Sequence, residues 1–100
     1  MNPAHGLMGL CARSGRLPSG DQAVRIALKR SEVYLVLLDG AASPATRKDF
    51  TEICLRANIP IRLTDADALG EAIGKPGRRV AAVTDEALAR RLAQLLPEDA

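Results

Sequence analysis

The stretch SGDQAVRIALKRSEVYLVLLD, Ser19 to Asp39, decides the fold because it holds a helix, a short break and an apolar strand in succession. Ser19 stands three residues before Gln22, the spacing of a capping box, which predicts a helix starting there. Val24, Ala27 and Leu28 fall on one side of that helix, and Gln22, Arg25 and Lys29 on another. Val33 to Leu38 has no polar alternation, the pattern of a strand covered on both faces. Tyr34 is expected to be buried within it. A covered strand fed by a basic helix with a free first turn is a scaffold for an anion or a nucleic acid.

Upstream, residues 1–5 read as a flexible tail, and His5 has no ligand partner nearby. Gly6 to Ser14 reads as a short helix with Leu7, Leu10 and Cys11 facing a core. Gly15-Arg16-Leu17-Pro18 is a turn or extended piece delivering the chain to Ser19.

Downstream, Gly40-Ala41-Ala42 is a loop, and Ser43 with Pro44 behind it has the signature of a helix start. Thr46, Phe50, Ile53, Cys54 and Ala57 give that helix one apolar face, and Asn58 can end it in the left-handed conformation. Ile59 to Leu63 reads as a short strand, with Pro60 suited to its start or to a sheet edge. Thr64 with Asp67 resembles another cap, opening a helix that Gly74 stops. Lys75-Pro76-Gly77-Arg78 is a loop, and Val80 to Val83 a third strand. Thr84 or Asp85 caps a last helix whose buried stripe is Leu88, Leu92, Leu95 and Leu96; residues 97–100 form an acidic, frayed tail.

This order of helix, helix, strand, helix, strand, helix, strand, helix predicts an α/β chain, a three-layer α-β-α sandwich around a small mixed central sheet. One hundred residues suffice for one core and are too few for two. No run approaches the ~20 apolar residues of a membrane span, and the N-terminus lacks the pattern of a signal peptide. Cys11 and Cys54, far apart in apolar helical patterns, read as buried free thiols of a cytoplasmic protein in preference to a disulfide.

Net charge is only +2, but its distribution is uneven. Arg13, Arg16, Arg25, Lys29 and Arg30 cluster around one acid, Asp21, and Lys75, Arg78 and Arg79 form a second group with no acid among them. Clustered cations are an electrostatic footprint for phosphate. They are equally the ordinary solvated surface of a helix or loop.

Residues for chemistry are sparse. One His and two distant Cys build neither a metal site nor a Ser-His-Asp set. Gly70, Gly74 and Gly77 follow a helix, whereas a phosphate loop follows a strand. Asp39 and Thr84 each end a strand, as in phospho-accepting receiver domains, but the acid cluster and the five strands of such domains are missing. No cofactor, metal or small-molecule substrate is expected, and no enzymatic activity.

A resemblance covers nearly the whole chain. Gly9-Leu10-Cys11-Ala12-Arg13, SGDQAV, LVLLDGAAS, TRKDFTEIC, IPIRL, LGEAIGK and VAAVTDEALARRL, in this order, resemble the bacterial YlxQ-like proteins. These belong to the superfamily of the archaeal L-seven-Ae and eukaryotic L-thirty-e ribosomal proteins. The resemblance implies an α-β-α sandwich and RNA binding, ribosomal or otherwise structured, commonly to a kink-turn. It also implies that RNA meets the first turn of the second helix and the loop before the last strand, where the two basic segments lie. The family's glycine falls on Gly20, and its Asn on Gln22. Its Glu falls on Ala23, its Lys on Ile26, and its apolar loop on Lys75-Pro76-Gly77-Arg78-Arg79, which is basic here.

The expected RNA contacts are therefore Arg16, Ser19, Gly20, Asp21, Gln22, Arg25 and Lys29 from the first segment, and Lys75, Gly77, Arg78 and Arg79 from the second. With 2% aromatic residues, stacking cannot dominate, and recognition would rest on RNA shape and backbone contacts. The protein is expected to be monomeric. The alternative is a protein–protein interaction module on the same fold that has lost the RNA site.

Overall fold

The computed structural model describes residues 2–98 and contains eight elements in the expected order. They are α1 (Pro3–Arg13), α2 (Asp21–Lys29), β1 (Leu35–Asp39), α3 (Pro44–Ala57), β2 (Ile61–Thr64), α4 (Ala68–Ile73), β3 (Val80–Val83) and α5 (Glu86–Leu95). The sheet order is β2-β1-β3, with β1 parallel to β2 and antiparallel to β3, so it is mixed. β1 is central and wholly buried.

Because side chains alternate along a strand, β1 and β3 feed two separate cores. Leu35, Leu37, Ala81 and Val83 pack with Ala4, Met8 and Cys11 of α1, Leu69 of α4, and Ala89 and Leu92 of α5. Val36, Leu38, Val80 and Ala82 pack with Val24 and Ala27 of α2 and Phe50 and Cys54 of α3. The result is the expected sandwich, with α1, α4 and α5 on one face and α2 and α3 on the other.

The outer edge of β3 is covered by the segment leading into α2. Ala82 donates its N–H to the Pro18 carbonyl at 2.9 Å, Gly20 to the Val80 carbonyl at 2.9 Å, and Thr84 to the Arg16 carbonyl at 3.1 Å. The far edge of β2 meets the C-terminal segment, where the Pro97 carbonyl accepts from the Leu63 N–H at 3.0 Å.

Several boundaries differ from the sequence reading. Residues 3–5 belong to α1, which starts on an Asn2 cap with Pro3 behind it; the Asn2 side chain accepts from the Ala4 N–H at 2.9 Å. Ala4, Met8 and Cys11, at i, i+4 and i+7, form its buried stripe, while Leu10 is 50% exposed. Pro97 and Glu98 are held against β2; Met1, Asp99 and Ala100 of the expected tails lie outside the described residues. Tyr34 is 47% exposed, because it lies beyond the register in which Leu35 pairs with Val83 and Val36 with Ile61. Ile59 stays outside β2 because its N–H closes α3 on the Cys54 carbonyl at 2.9 Å.

Other local signals hold. Ser43 accepts from the Thr46 N–H at 3.1 Å, Asn58 ends α3 at φ 57°, and Asp85 caps α5 by accepting from the Leu88 N–H at 2.9 Å.

Both cysteines are free and buried. Burial raises the Cys54 thiol to about 11, and burial followed by the nearby Asp85 charge raises Cys11. Since the thiolate is the reactive form, neither should react with a thiol-specific reagent in the folded protein at mildly alkaline pH. Reagent counts taken before and after denaturation check this, with both thiols appearing only after unfolding. Cys54→Ala should cost about 1–2 kcal/mol of stability by denaturant titration.

Candidate nucleic-acid interface

The start of α2 is built differently from the expected capping box. Ser19 is drawn into an antiparallel bridge with Ala81, and its Oγ has no hydrogen-bond partner among the described residues. The chain then turns at Gly20, whose φ of 97° a side chain would strain. Gly20 is thus the N-cap, and it supplies no side-chain acceptor to the first turn of α2. Asp21 does not fill that role, because it pairs with Arg25 at 2.6 Å. The first-turn N–H groups of α2 are therefore left without a side-chain cap, at the positive end of the helix dipole.

The second basic segment comes to the same place. A Cβ on Gly20 would stand 3.0 Å from Nη1 of Arg78, so the Arg78 guanidinium lies against the helix start. Lys75, from the same loop, shares a cleft of about 520 Å³ with Ala23, Ile26, Ala27 and Arg30 of α2 and Leu17 and Pro18 of the preceding segment. Ala23 and Ile26 make part of the cleft apolar, and Lys75 and Arg30 bring positive charge beside one acid, Glu32. Gln22 is exposed on the first turn, and Gly77 is exposed in the loop with φ 88°.

Four of the expected contacts are not gathered in this way. Arg16 pairs with Asp85 at the opposite end of β3, roughly 13 Å of extended chain from Gly20. Arg25 is held by Asp21 and by Asp49 at 3.5 Å, with its guanidinium 4.8 Å from the centre of the Phe50 ring. The Asp21 hydrogen bond is the main reason that its pKa is raised. Lys29 lies in a separate groove with Leu28, Ile53 and Ala57. Arg79 is turned toward α4, where its Nη1 is 2.9 Å from Asp67 Oδ1 and 3.5 Å from Asp39 Oδ2.

Asp39 explains how the loop is fixed, through partners distant in sequence. It is fully buried. Its Oδ1 accepts from the Thr64 hydroxyl at 2.9 Å and the Leu69 N–H at 3.0 Å. Its Oδ2 accepts from the N–H groups of Ala41 at 2.9 Å and Asp67 at 2.8 Å. Asp39 thereby caps α4 from a distant strand, replacing the expected Thr64–Asp67 cap; Asp67 itself is left-handed, at φ 66°. Burial works to raise the Asp39 pKa, but the hydrogen bonds outweigh it and the net shift is downward. Thr84 lies at the other end of the sheet from Asp39, since Leu38 pairs with Val80 and Leu35 with Val83, so the two do not form a receiver-like pair.

Among the described residues, no three of His, Cys, Asp and Glu are grouped as for a metal ion. No helix among them is long and apolar enough to cross a membrane.

Comparison with known proteins bears on the whole chain. A model of the ribosomal protein L7Ae/L30e/S12e/Gadd45 family matches residues 4–93. The RNA-binding protein YlxQ of Bacillus subtilis (strain 168) is 37% identical over 91 residues, which is 90% of this chain and 91% of that protein. A solved structure of a protein with unknown function from Bacillus halodurans C superposes with a TM-score of 0.90 at 34% identity, covering 95% of this chain and 97% of that one.

The lowered Asp39 pKa has a consequence for stability. A carboxyl depressed in the folded state contributes stability above its unfolded value, about 3.9, and that contribution fades as pH falls through the folded value. Wild type should therefore lose stability below about pH 4 more steeply than Asp39→Asn, while being clearly more stable at neutral pH. Denaturant titrations across the acidic range measure the two curves, which should converge as pH falls.

Proposed function

Because the chain belongs to the ribosomal protein L7Ae/L30e/S12e/Gadd45 family, we propose that it is a non-enzymatic protein that binds structured RNA through the start of α2 and the loop before β3. The observation that carries this reading is Arg78 lying against Gly20, which joins two basic segments at a helix start with no side-chain cap. Uncapped N–H groups and the helix dipole suit a phosphate or a base edge. Arg78, Lys75 and Arg30, with no acid paired to them among the described residues, supply the neutralising charge around it. Arg25, Arg16 and Arg79 are already neutralised by acids, so their share in phosphate binding is smaller. We assign the protein to the cytoplasm and to ribosomal or other structured RNA as partner.

Within this reading, the kind of RNA follows from Gln22, Ala23 and Ile26. The resemblance implies that a standard kink-turn is read by an amide, a carboxylate and an ammonium on one helical turn, and here only the amide remains. Two lost polar contacts at about 1–3 kcal/mol each weaken specific recognition by about thirtyfold or more where RNA groups stay unpaired. The protein should bind a standard kink-turn little better than a duplex of equal length. A triple variant, Gln22→Asn, Ala23→Glu and Ile26→Lys, should raise kink-turn affinity and leave duplex binding nearly constant. Paired titrations at fixed salt check this, and tight, selective kink-turn binding by wild type would contradict it.

Charge gives a second test. Log affinity should fall linearly with log salt, and the pair Lys75→Ala and Arg78→Ala should flatten the slope by about one to two units. Arg25→Ala should flatten it less. An unchanged slope after the Lys75 and Arg78 substitutions would put the binding face elsewhere.

A further inference from the structure

The loop between α4 and β3 carries little that could anchor it by burial. Lys75, Pro76, Gly77 and Arg78 are all exposed, and Gly77 has a positive φ. Its near end is tied to α4 by close approach. The Lys75 N–H donates to the Gly70 carbonyl at 2.9 Å, and a Cβ on Gly70 would stand 2.6 Å from the Lys75 carbonyl oxygen. Pro76 and Gly77 also lie against Gly70, 3.1 and 3.0 Å from that Cβ, and beyond them the far end is tied through Arg79. The Arg79 carbonyl accepts from the Asp39 N–H at 2.8 Å, and its guanidinium bridges Asp39 and Asp67.

Alternation along the strand then fixes the neighbouring side chain. Ala81 and Val83 face the α1/α4/α5 core, and Val80 and Ala82 face the α2/α3 core. Continuing that alternation backward puts Arg79 on the side of α4, where Asp39 and Asp67 hold it. It puts Arg78 on the side of α2, where it lies against Gly20.

We propose that Arg79 is a positioning residue: clamped by Asp39 and Asp67, it holds the loop in the register that aims Arg78 at the start of α2. This rests on the RNA-binding reading of that start. The acids of the clamp are then part of the interface's construction even though their charge opposes RNA. Without the clamp, Arg78 samples many orientations, and each binding event must order it again. Asp67 gives the sharpest distinction, because simple electrostatics and positioning make opposite forecasts for its removal. Its φ of 66° suits glycine, so Asp67→Gly removes the carboxylate without backbone strain.

The experiment is a double-mutant cycle with a fluorescently labelled internal-loop RNA, using wild type, Arg78→Ala, Arg79→Ala, the double variant and Asp67→Gly at fixed salt. Arg79→Ala should weaken binding by about threefold to tenfold, yet add less than about twofold when Arg78 is already Ala. Asp67→Gly should weaken binding although it removes a negative charge. In the absence of RNA, amide exchange at Gly77 and Arg78 should accelerate in Arg79→Ala and Asp67→Gly, while exchange in α2 and α5 stays as in wild type. Fully additive losses, tighter binding by Asp67→Gly or unchanged loop exchange would each overturn the positioning role alone. Binding unaffected by Arg78→Ala would overturn the RNA-site reading, and the proposal with it.

Discussion

A carboxylate without access to water must find its hydrogen bonds inside the protein, and Asp39 finds them in segments that are distant in sequence. It accepts the N–H groups of Ala41, Asp67 and Leu69 and the hydroxyl of Thr64, with Arg79 as its counter-ion. A buried charge of this kind is tolerable only when nearly every lone pair is used. The end of β1, the turn after β2, the start of α4 and the approach to β3 are therefore fixed relative to one another. Gly40 belongs to the same arrangement: a Cβ there would stand 2.9 Å from both the Thr64 carbonyl oxygen and the Ala66 nitrogen.

The second constraint is the covered edge of β3. Arg16 to Gly20 runs along it, so α2 starts beside the end of the loop from α4. Gly20 at the start of α2 and the Lys75–Arg78 loop, more than fifty residues apart in sequence, thereby become one surface. The geometry also separates charges that look alike in sequence. Arg25 and Lys29 share a helix with Gln22, yet Arg25 is paired with Asp21 and Asp49, and Lys29 lies in a groove against α3.

Much of the fold was legible in the chain because its signals are local. The apolar run ending at Leu38, the Ser43-Pro44 start, Asn58 and Gly74 as helix stops, and the order of elements all rest on neighbours a few residues apart. What was not legible depends on partners far away. Ser19 carried a capping signal, but pairing with Ala81 took it into the sheet and left Gly20 as the cap. The Thr64–Asp67 cap failed because Asp39 supplies the acceptor from another strand. Asn2-Pro3 is itself a cap-and-proline signal, and α1 starts on it and not at the expected Gly6. Of the candidate site, the two basic segments and Gly20 could be read from sequence. That Arg79 turns inward to Asp39 and Asp67 could not, although an acid ending an apolar strand already marked Asp39 as unusual.

Backbone amide shifts, recorded while a short internal-loop RNA is added to isotope-labelled protein, test most directly whether this surface is the RNA-binding face. The changes should cluster at Gly20 to Ala23 and at Lys75 to Arg78, with little effect on Lys29, the C-terminal half of α3 and α5. Changes confined to α3 or α5, or none at RNA concentrations that saturate binding, would contradict it.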